Sequence, residues 1–315
     1  MDHVVDEKVA VPGRVLCIGA AVLDTLFRVE TLPEGQGKIL PYEMLQIAEG
    51  MAASAAYAIA RLGGQASLWC AVGDDDAGSR ILRDLAIDGI DMTGACVVDG
   101  ARSAAATILV DDKGERLIIP FYDQRLRECR KEFGDEDIRK FDAVLVDVRW
   151  PAMAAQVLAA AGRVGIPAIL DADVAPPGIV DELAPLASHI IFSEPAALSA
   201  AGIDEAWAAT SILARKYPDA LVSVTVGDRG SYWIGSDREE VLHIPTIRVH
   251  AVDTLAAGDV FHGAFALFVA QDRTVEEALT LASIAAALKC EIFGGRTGAP
   301  TLDRVVEAMR MQTGI

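Results

Sequence analysis

Short apolar segments alternate with helical patterns along most of this chain, and that alternation limits the folds open to it. Six segments have the length and the apolar content of buried strands. They are RVLCIGA (14–20), ASLWCAVG (66–73), AVLVDV (143–148), PAILDAD (167–173), HIIFS (189–193) and ALVSVTVG (220–227). Strands separated by helices form right-handed βαβ units. The sequence therefore predicts an α/β protein with three layers, in which helices cover both faces of a central, mostly parallel sheet.

Two segments interrupt this rhythm. Residues 25–48 contain no long helical pattern and several Pro and Gly, and residues 103–122 alternate like a β-hairpin that turns at Asp111–Gly114. Both fit a small β-lid over the C-terminal edge of the main sheet, where α/β folds bind ligands. We expect a flexible tail over residues 1–12 and a single domain over residues 13–315 that carries these two lid segments.

Charge and composition exclude several classes of function. The 28 Lys+Arg against 46 Asp+Glu give a formal net charge of −18, which repels nucleic acid. No apolar run approaches the roughly 20 residues that span a bilayer, and the polar N-terminus does not resemble a signal peptide. The 5 cysteines are dispersed without a CxxC pair, which favours reduced thiols. These features predict a cytoplasmic protein that binds neither nucleic acid nor membrane.

The segment VDTLAAGDVFHGAF (252–265) offers the clearest chemistry. Small residues at a helix start let the backbone approach a ligand, and unpaired N–H groups there attract anions. Ala256, Ala257 and Gly258 could form an anion hole, with Asp259 as a base for an attacking hydroxyl. In the alternative interpretation Asp259 only caps the helix. His262 is expected to pack or to bond to a nearby carbonyl rather than to transfer protons.

The same loop resembles a signature of the PfkB (ribokinase-like) carbohydrate kinases, D-T-x-G-A-G-D. Asp253, Thr254, Ala257, Gly258 and Asp259 match that signature, whereas an alanine at 256 replaces its first loop glycine. The segments RVLCIGAAVLD, EGMAASAAYAIARLGG, AVGDDDAGSRIL, VTVGDRG and GGRTGAP are similar in kind and order to further motifs of the family. The resemblance covers nearly the whole chain and implies the ribokinase-like fold.

The resemblance also implies a role for each matching residue. It makes Asp259 the catalytic base and residues 256–258 the anion hole, and it places Asp24 and Gly50 at the sugar hydroxyls. Asp253 would help to hold a structural monovalent cation such as K⁺. The nucleotide site would include Thr225, Gly227 and Gly230, together with Glu194 in SEPA, which replaces the N-x-x-E motif linked to Mg²⁺. Glu49 and Ser54 depart from the G-G-x-x-x-N pattern at the start of the first helix.

Two cations bear on the substrate. Lys38 lies in the first lid segment, and Arg149 follows the strand AVLVDV, where its guanidinium could bind a substrate anion with two hydrogen bonds. In the alternative, Lys38 is solvated and Arg149 pairs with a carboxylate such as Asp147. The pieces DVRW, FSEP, GDVFHGA and AALKC are similar to the sulfofructose kinase branch, whose sugar carries a sulfonate. Pro120 and the altered loop leave room for another sugar acid or a sugar phosphate.

The leading hypothesis is thus an ATP- and Mg²⁺-dependent kinase that phosphorylates a hydroxyl of a small sugar, with anionic sugars among the candidates. A sugar- or nucleotide-binding regulator with little turnover is the alternative, motivated by the altered motifs. A nicotinamide-dependent dehydrogenase is excluded, because IGAAVLD lacks the G-x-G-x-x-G spacing, and the chain contains no G-x-x-x-x-G-K-[ST] P-loop. By the same resemblance, we expect a homodimer that pairs through the lid.

Overall fold

The computed structural model describes residues 12–35, 37–235 and 239–313, so nearly all of the tail predicted over residues 1–12 lies outside the described residues. The strands are β1 (Arg14–Gly19), β2 (Val22–Arg28), β3 (Glu43–Glu49), β4 (Gln65–Gly73), β5 (Cys96–Val98), β6 (Ala105–Val110), β7 (Arg116–Phe121), β8 (Ala143–Val146), β9 (Ala168–Ala172), β10 (His189–Ser193), β11 (Leu221–Thr225), β12 (Ser231–Ile234) and β13 (Leu242–Ile244). The helices are α1 (Met51–Arg61), α2 (Asp76–Ile87), α3 (Asp135–Ile138), α4 (Pro151–Val164), α5 (Ile179–Leu183), α6 (Glu194–Ala201), α7 (Ala206–Lys216), α8 (Ala257–Ala270), α9 (Val275–Lys289) and α10 (Leu302–Thr313).

Nine strands form the central sheet, in the order β13-β12-β11-β10-β9-β8-β1-β4-β5. The strands from β11 to β5 pair in parallel, whereas β12 and β13 add an antiparallel edge. All six predicted strands are confirmed, as β1, β4, β8, β9, β10 and β11. Their side chains are almost entirely buried because helices cover both faces of the sheet.

Helices α1, α8 and α9 belong to the core on one face of the sheet, and α4, α6 and α7 to the core on the other. The first group packs closely because its facing residues are small. A Cβ on Gly263 of α8 would come within 2.3 Å of the Ala55 carbonyl oxygen of α1. This contact brings the start of α8 close to α1 at the edge of the sheet where the polar residues gather.

A second, four-stranded sheet has the order β3-β2-β6-β7. The predicted hairpin is present as β6 and β7, and the Gly114 N–H closes its turn on the Asp111 carbonyl oxygen at 3.0 Å. Leu26, Ile108 and Val110 form a small core that packs against Leu255 and Phe293. Because Leu255 precedes α8, the small sheet lies against the loop before that helix. Every residue of β7, by contrast, is exposed.

The cysteines differ in one respect from the expected free thiols. Cys96 of β5 and Cys129 are joined as a disulfide, with their Cα atoms 6.8 Å apart, while Cys17, Cys70 and Cys290 are free. The two cysteines are 33 positions apart and show no CxxC spacing, so the sequence did not indicate that they pair. Only the folding of the chain brings them together. Within the described ranges, no helix combines the length and the apolarity needed to cross a membrane.

Candidate active site

Carboxylates gather where parallel strands end beside the start of α8. Asp147 follows β8, Asp171 lies at the end of β9, and Asp173 follows it. Asp147 has a structural role: its carboxylate accepts the N–H of Ala20 at 2.7 Å and that of Ala52 at 3.2 Å. These bonds tie the end of β1 to the start of α1. The same edge of the sheet therefore holds a carboxylate that fixes the main chain, Asp147, and two further carboxylates, Asp171 and Asp173.

Asp259 lies in the first turn of α8 with its side chain partly exposed. Burial among protein atoms raises the pKa of this carboxyl well above the usual range, and the negative charges of Glu49, Asp173 and Asp147 add to the shift. No hydrogen bond forms between this carboxylate and any residue that the structure describes. The helix begins at Ala257, and no side chain caps it at the N-cap position, Ala256, so the helix-cap interpretation of Asp259 is not supported.

The main chain before Asp259 turns sharply. Ala256 has φ 61° and ψ 9°, the left-handed conformation that glycine adopts more readily. The Ala257 N–H makes a long bond of 3.3 Å to the Thr254 carbonyl oxygen. The N–H groups of Gly258 and Asp259 find no protein acceptor among the described residues. As the first amides of a helix they point toward its N-terminal end, where an anion is favoured.

Arg116 of β7 brings a positive charge to this loop. Its guanidinium donates a hydrogen bond to the Thr254 hydroxyl. The same charge opposes the rise in the pKa of Asp259. A residue of the small sheet therefore reaches the loop that precedes α8, next to the carboxylate expected to act as base.

Asp253 is fully engaged by protein donors. One carboxylate oxygen accepts the Leu255 N–H at 2.8 Å, and the other accepts the Gly294 and Gly295 N–H groups at 3.0 and 2.9 Å. The ammonium of Lys289 lies 3.3 Å from the second oxygen. The expected K⁺ at Asp253 does not fit this arrangement, because an ammonium already neutralises the carboxylate.

The expected sugar side of the site contains two buried carboxyls. Burial, followed by the negative charge of Glu49, raises the pKa of Asp24 on β2 to about 8, and one of the Asp24 oxygens has no partner. Glu49 accepts the Arg296 N–H at 2.7 Å and a hydrogen bond from the Ser54 hydroxyl of 2.5 Å. Gly50, with φ 113°, precedes α1, and a Cβ there would meet the Ala20 carbonyl oxygen at 2.5 Å. Both departures from the family pattern, Glu49 and Ser54, thus bond to each other.

The two expected substrate cations differ in their surroundings. Arg149 donates to the Val174 carbonyl oxygen at 2.9 Å and to the Asp173 carboxylate at 3.3 Å. Its guanidinium therefore pairs with a carboxylate at the sheet edge, as the alternative expected, although the partner is Asp173; Asp147 accepts the Arg149 main-chain N–H at 2.7 Å. Lys38 is exposed and makes no hydrogen bond or ion pair within the described residues. Its expected contact with a substrate anion stays a prediction.

The residues expected at the nucleotide lie together after β10 and β11. Glu194 begins α6 and forms an ion pair with Arg229, and the Thr225 hydroxyl bonds to the Phe192 carbonyl oxygen at 3.3 Å. Gly227 has φ 62° and open space beside it. Packing also requires a glycine at Gly230, since a Cβ there would come within 2.0 Å of the Ile244 carbonyl oxygen of β13.

His262 behaves as expected for a packing residue. Its Nδ1 lies 2.7 Å from the Gly258 carbonyl oxygen and 3.3 Å from the Asp171 carboxylate. Burial lowers the pKa of this histidine to about 4, so the ring is neutral at physiological pH. Burial raises the pKa of Asp171 well above its usual range, and the Asp259 charge adds to that shift.

Sequence reasoning missed Glu49, Asp171, Asp173, Arg116 and Lys289 as members of this site. The aspartates had a usable signal, since PAILDAD puts both at the carboxyl end of a predicted parallel strand. Arg116 and Lys289 had none, because only the tertiary fold brings a hairpin and a helix end to the same loop. Across the part of the chain that the structure describes, no cluster of three or more His, Cys, Asp or Glu could hold a metal ion.

Comparison with known proteins agrees with this arrangement. The sequence profile described as "pfkB family carbohydrate kinase" matches residues 13–302. An ATP-dependent ribose-1-phosphate kinase from Halopiger xanaduensis is 31% identical, over 93% of this chain and 96% of that protein. A ribokinase from Bacillus subtilis is 30% identical, over 94% of this chain and 99% of that protein.

Solved structures show the same architecture. A protein from Agrobacterium tumefaciens assigned as a ribokinase superposes with a TM-score of 0.95 at 55% identity, covering 97% of this chain and 100% of the other. A ribokinase from Arabidopsis thaliana, complexed with ribose and ATP, superposes with a TM-score of 0.81 at 24% identity, over 95% of this chain and 99% of the other. The second likeness bears on the fold alone.

Proposed function

This chain belongs to the pfkB family of carbohydrate kinases, and we propose that it transfers the γ-phosphoryl group of ATP to a hydroxyl of a small sugar. One observation carries the proposal: among the described residues, neither the Asp259 carboxylate nor the N–H groups of Gly258 and Asp259 beside it at the start of α8 have a protein hydrogen-bond partner. A base and an anion-binding helix end thus lie within one turn. Phosphoryl transfer to an alcohol needs both.

In the proposed reaction, Asp259 accepts the proton of the sugar hydroxyl as that oxygen bonds to the γ-phosphorus. The bond between the γ-phosphorus and the bridging oxygen breaks, and ADP leaves. The loop amides and the positive end of α8 stabilise charge on the transferring group. Arg116 adds a positive charge at Thr254. The raised pKa of Asp259 suits this role, because a stronger base accepts the proton more readily.

Mg²⁺ would neutralise charge on the ATP phosphates. The ion is commonly bound by one or two carboxylates together with substrate phosphates, so the lack of a three-residue protein cluster among the described residues fits such a site. Asp173 and Glu194 are the carboxylates on this side. The Ser193 hydroxyl, next to Glu194, donates to Asp173 at 2.8 Å. Thr225, Gly227 and Gly230 would complete the nucleotide side.

For the sugar, we propose binding between the small sheet and the edge of the main sheet, with Asp24 and Gly50 at the hydroxyls. Arg149 uses two of its five N–H donors on protein oxygens, which leaves others for an acidic group of the substrate. A sugar phosphate, a sulfonated sugar such as sulfofructose, or a keto-sugar acid would satisfy them. The Halopiger relative, named for ribose 1-phosphate, supports an anionic substrate.

An ADP-release assay with Mg-ATP tests the proposal. The screen would cover ribose, ribose 1-phosphate, fructose, sulfofructose, keto-deoxy sugar acids and nucleosides. We expect ADP release that depends on one of the anionic sugars. Binding of sugar and ATP without any sugar-dependent ADP would instead support a regulator that has kept the fold.

The small sheet is also proposed to act as a lid and as a dimer surface. Its two outer strands present apolar side chains to solvent, and Met44 of β3 and Ile119 of β7 are 63% and 59% exposed. A second copy of this chain would cover them.

Light scattering after size exclusion should give twice the 33.3 kDa chain mass, and Ile119→Lys should give the monomer. The matched control is Ile87→Lys, at an exposed position on α2; a monomeric wild type would refute the dimer.

A further inference from the structure

Lys289 is a fully buried cation at the end of α9. Its ammonium donates to the Asp253 carbonyl oxygen at 2.6 Å and lies 3.3 Å from the Asp253 carboxylate. An isolated buried charge is strongly unfavourable, so a buried lysine is retained only when oxygens around it compensate its charge. Both compensating oxygens belong to the residue that opens the loop before α8.

That loop is fixed through Asp253. Its carboxylate holds the Leu255 N–H on one side and the Gly294 and Gly295 N–H groups on the other. Its own N–H donates to the Cys290 carbonyl oxygen at 3.1 Å, directly after Lys289. The ammonium is therefore part of the set of bonds that position the turn at Ala256 and the amides beyond it.

A metal cation at the same oxygens would compete with this ammonium. Two positive charges within a few ångströms of each other repel strongly inside a protein, where the effective dielectric constant is far below that of water. The ammonium already supplies the positive charge that a monovalent cation would bring to Asp253. A second cation at that carboxylate would have to displace Lys289 from its partners.

We propose that Lys289 is a built-in substitute for a monovalent cation, so that the loop before α8 is ordered without K⁺ or Na⁺. Lys289 is a positioning residue here, because it acts on the phosphoryl-binding amides through Asp253. The inference rests on the proposed kinase activity for one readout only. Thermal stability provides a second readout that needs no substrate and no turnover.

The test compares KCl, NaCl and choline chloride at equal ionic strength. We expect the wild-type melting temperature and rate of ADP release to be the same in all three salts. Lys289→Ala should melt at a lower temperature in choline and lose about tenfold or more in kcat. K⁺, or ethylammonium occupying the space left by the side chain, should restore part of both quantities.

Two results would overturn the proposal. One is a wild-type protein whose melting temperature and rate rise clearly with K⁺ over choline. The other is a Lys289→Ala variant that matches the wild type in choline. Lys140→Ala, on the exposed side of an ion pair with Asp137, is the matched control and should respond to no salt. If Lys289→Ala does not fold, the wild-type salt series still decides, and its melting curves do so even if no sugar is phosphorylated.

Discussion

The Glu49 carboxylate accepts a hydrogen bond from the main-chain N–H of Arg296, which lies 247 positions later in the chain. The Arg296 guanidinium in turn bonds to the Ala48 carbonyl oxygen and pairs with Asp88 at 2.8 Å. These contacts join the end of β3 to the loop after α9. They also keep a carboxylate close enough to Asp24 and Asp259 to raise the pKa of both. The chemistry of the site therefore depends on a long-range contact.

Asp259→Asn should remove the base while leaving the shape of the site unchanged. We expect kcat to fall by about 10² to 10⁴ with ATP affinity nearly intact. In the wild type, kcat/KM should fall as pH falls through the raised pKa of this carboxyl, well above the usual aspartate range. Steady-state kinetics with ATP titrations measures both effects. Asp219→Asn, at an exposed position, is the control, and near-normal turnover of the Asp259 variant would disprove the base assignment.

Asp24 should make the protein less stable as pH rises. Its pKa is raised from 3.8 to about 8 in the folded state, so folding favours the protonated form. The stabilisation is complete below about 4 and is lost as pH climbs through about 8. Asp24→Asn should flatten the melting temperature across this window, as calorimetry without ligand would measure. Equal pH dependence of the two proteins would contradict the buried, protonated state of Asp24.

Arg149→Ala should affect acidic substrates selectively. Losing hydrogen bonds to a charged group should raise KM for an anionic sugar by about tenfold or more, with little change for fructose. Arg149→Lys keeps the positive charge but loses the planar guanidinium, so its KM for the anionic sugar should lie between those of the wild type and the alanine variant. Parallel kinetics on an acidic and a neutral sugar measure this. Equal losses on both substrates would mean that Arg149 only supports Asp173 and the Val174 carbonyl.

Ala256→Gly should relieve backbone strain. An L-residue at φ 61° costs about 1 kcal/mol, part of which is offset by the greater freedom of glycine in the unfolded chain. We expect the free energy of unfolding to rise by at most about 1 kcal/mol, with turnover unchanged because the amides remain. Urea denaturation measures the free energy of unfolding. Asp272→Gly, at φ 57°, is the control and should gain less, since aspartate tolerates this conformation better. A marked gain in turnover would show that the alanine impairs the loop.

Arg116→Ala should lower kcat and move the pH profile. Its charge lowers the pKa of Asp259, so removing it should shift the acid limb of kcat/KM to higher pH. The loss of a positive charge beside the phosphoryl group should cost about tenfold or more in kcat. Arg116→Lys preserves the charge and should restore the profile, a result that a purely structural role at Thr254 would not produce. An unchanged limb in the alanine variant would exclude an electrostatic role.

Part of the site could be predicted from the sequence because its signals are local. The loop at 253–259 carries its own turn, its helix start and its carboxylate within seven consecutive positions. Arg149 follows a strand whose apolar pattern places it at the sheet edge, whereas Asp24 was expected at the site only from the resemblance to the family. Lys38 shows the limit of this reasoning, since its place in a predicted lid segment does not determine a partner for its exposed side chain.

The layered α/β architecture follows from the order of the residues, because buried strands and helices alternate along the chain. The same order also determines the loop that opens α8, whose small residues and carboxylate are neighbours in the chain. Three further contacts arise only from packing in the folded protein: Lys289 neutralises Asp253, Glu49 bonds to Arg296, and Cys96 pairs with Cys129. All three pairings join residues far apart in the chain, so they exist only after packing has brought those residues together. In the two that involve buried charges, each charge depends on its partner, because an unpaired buried charge is strongly unfavourable.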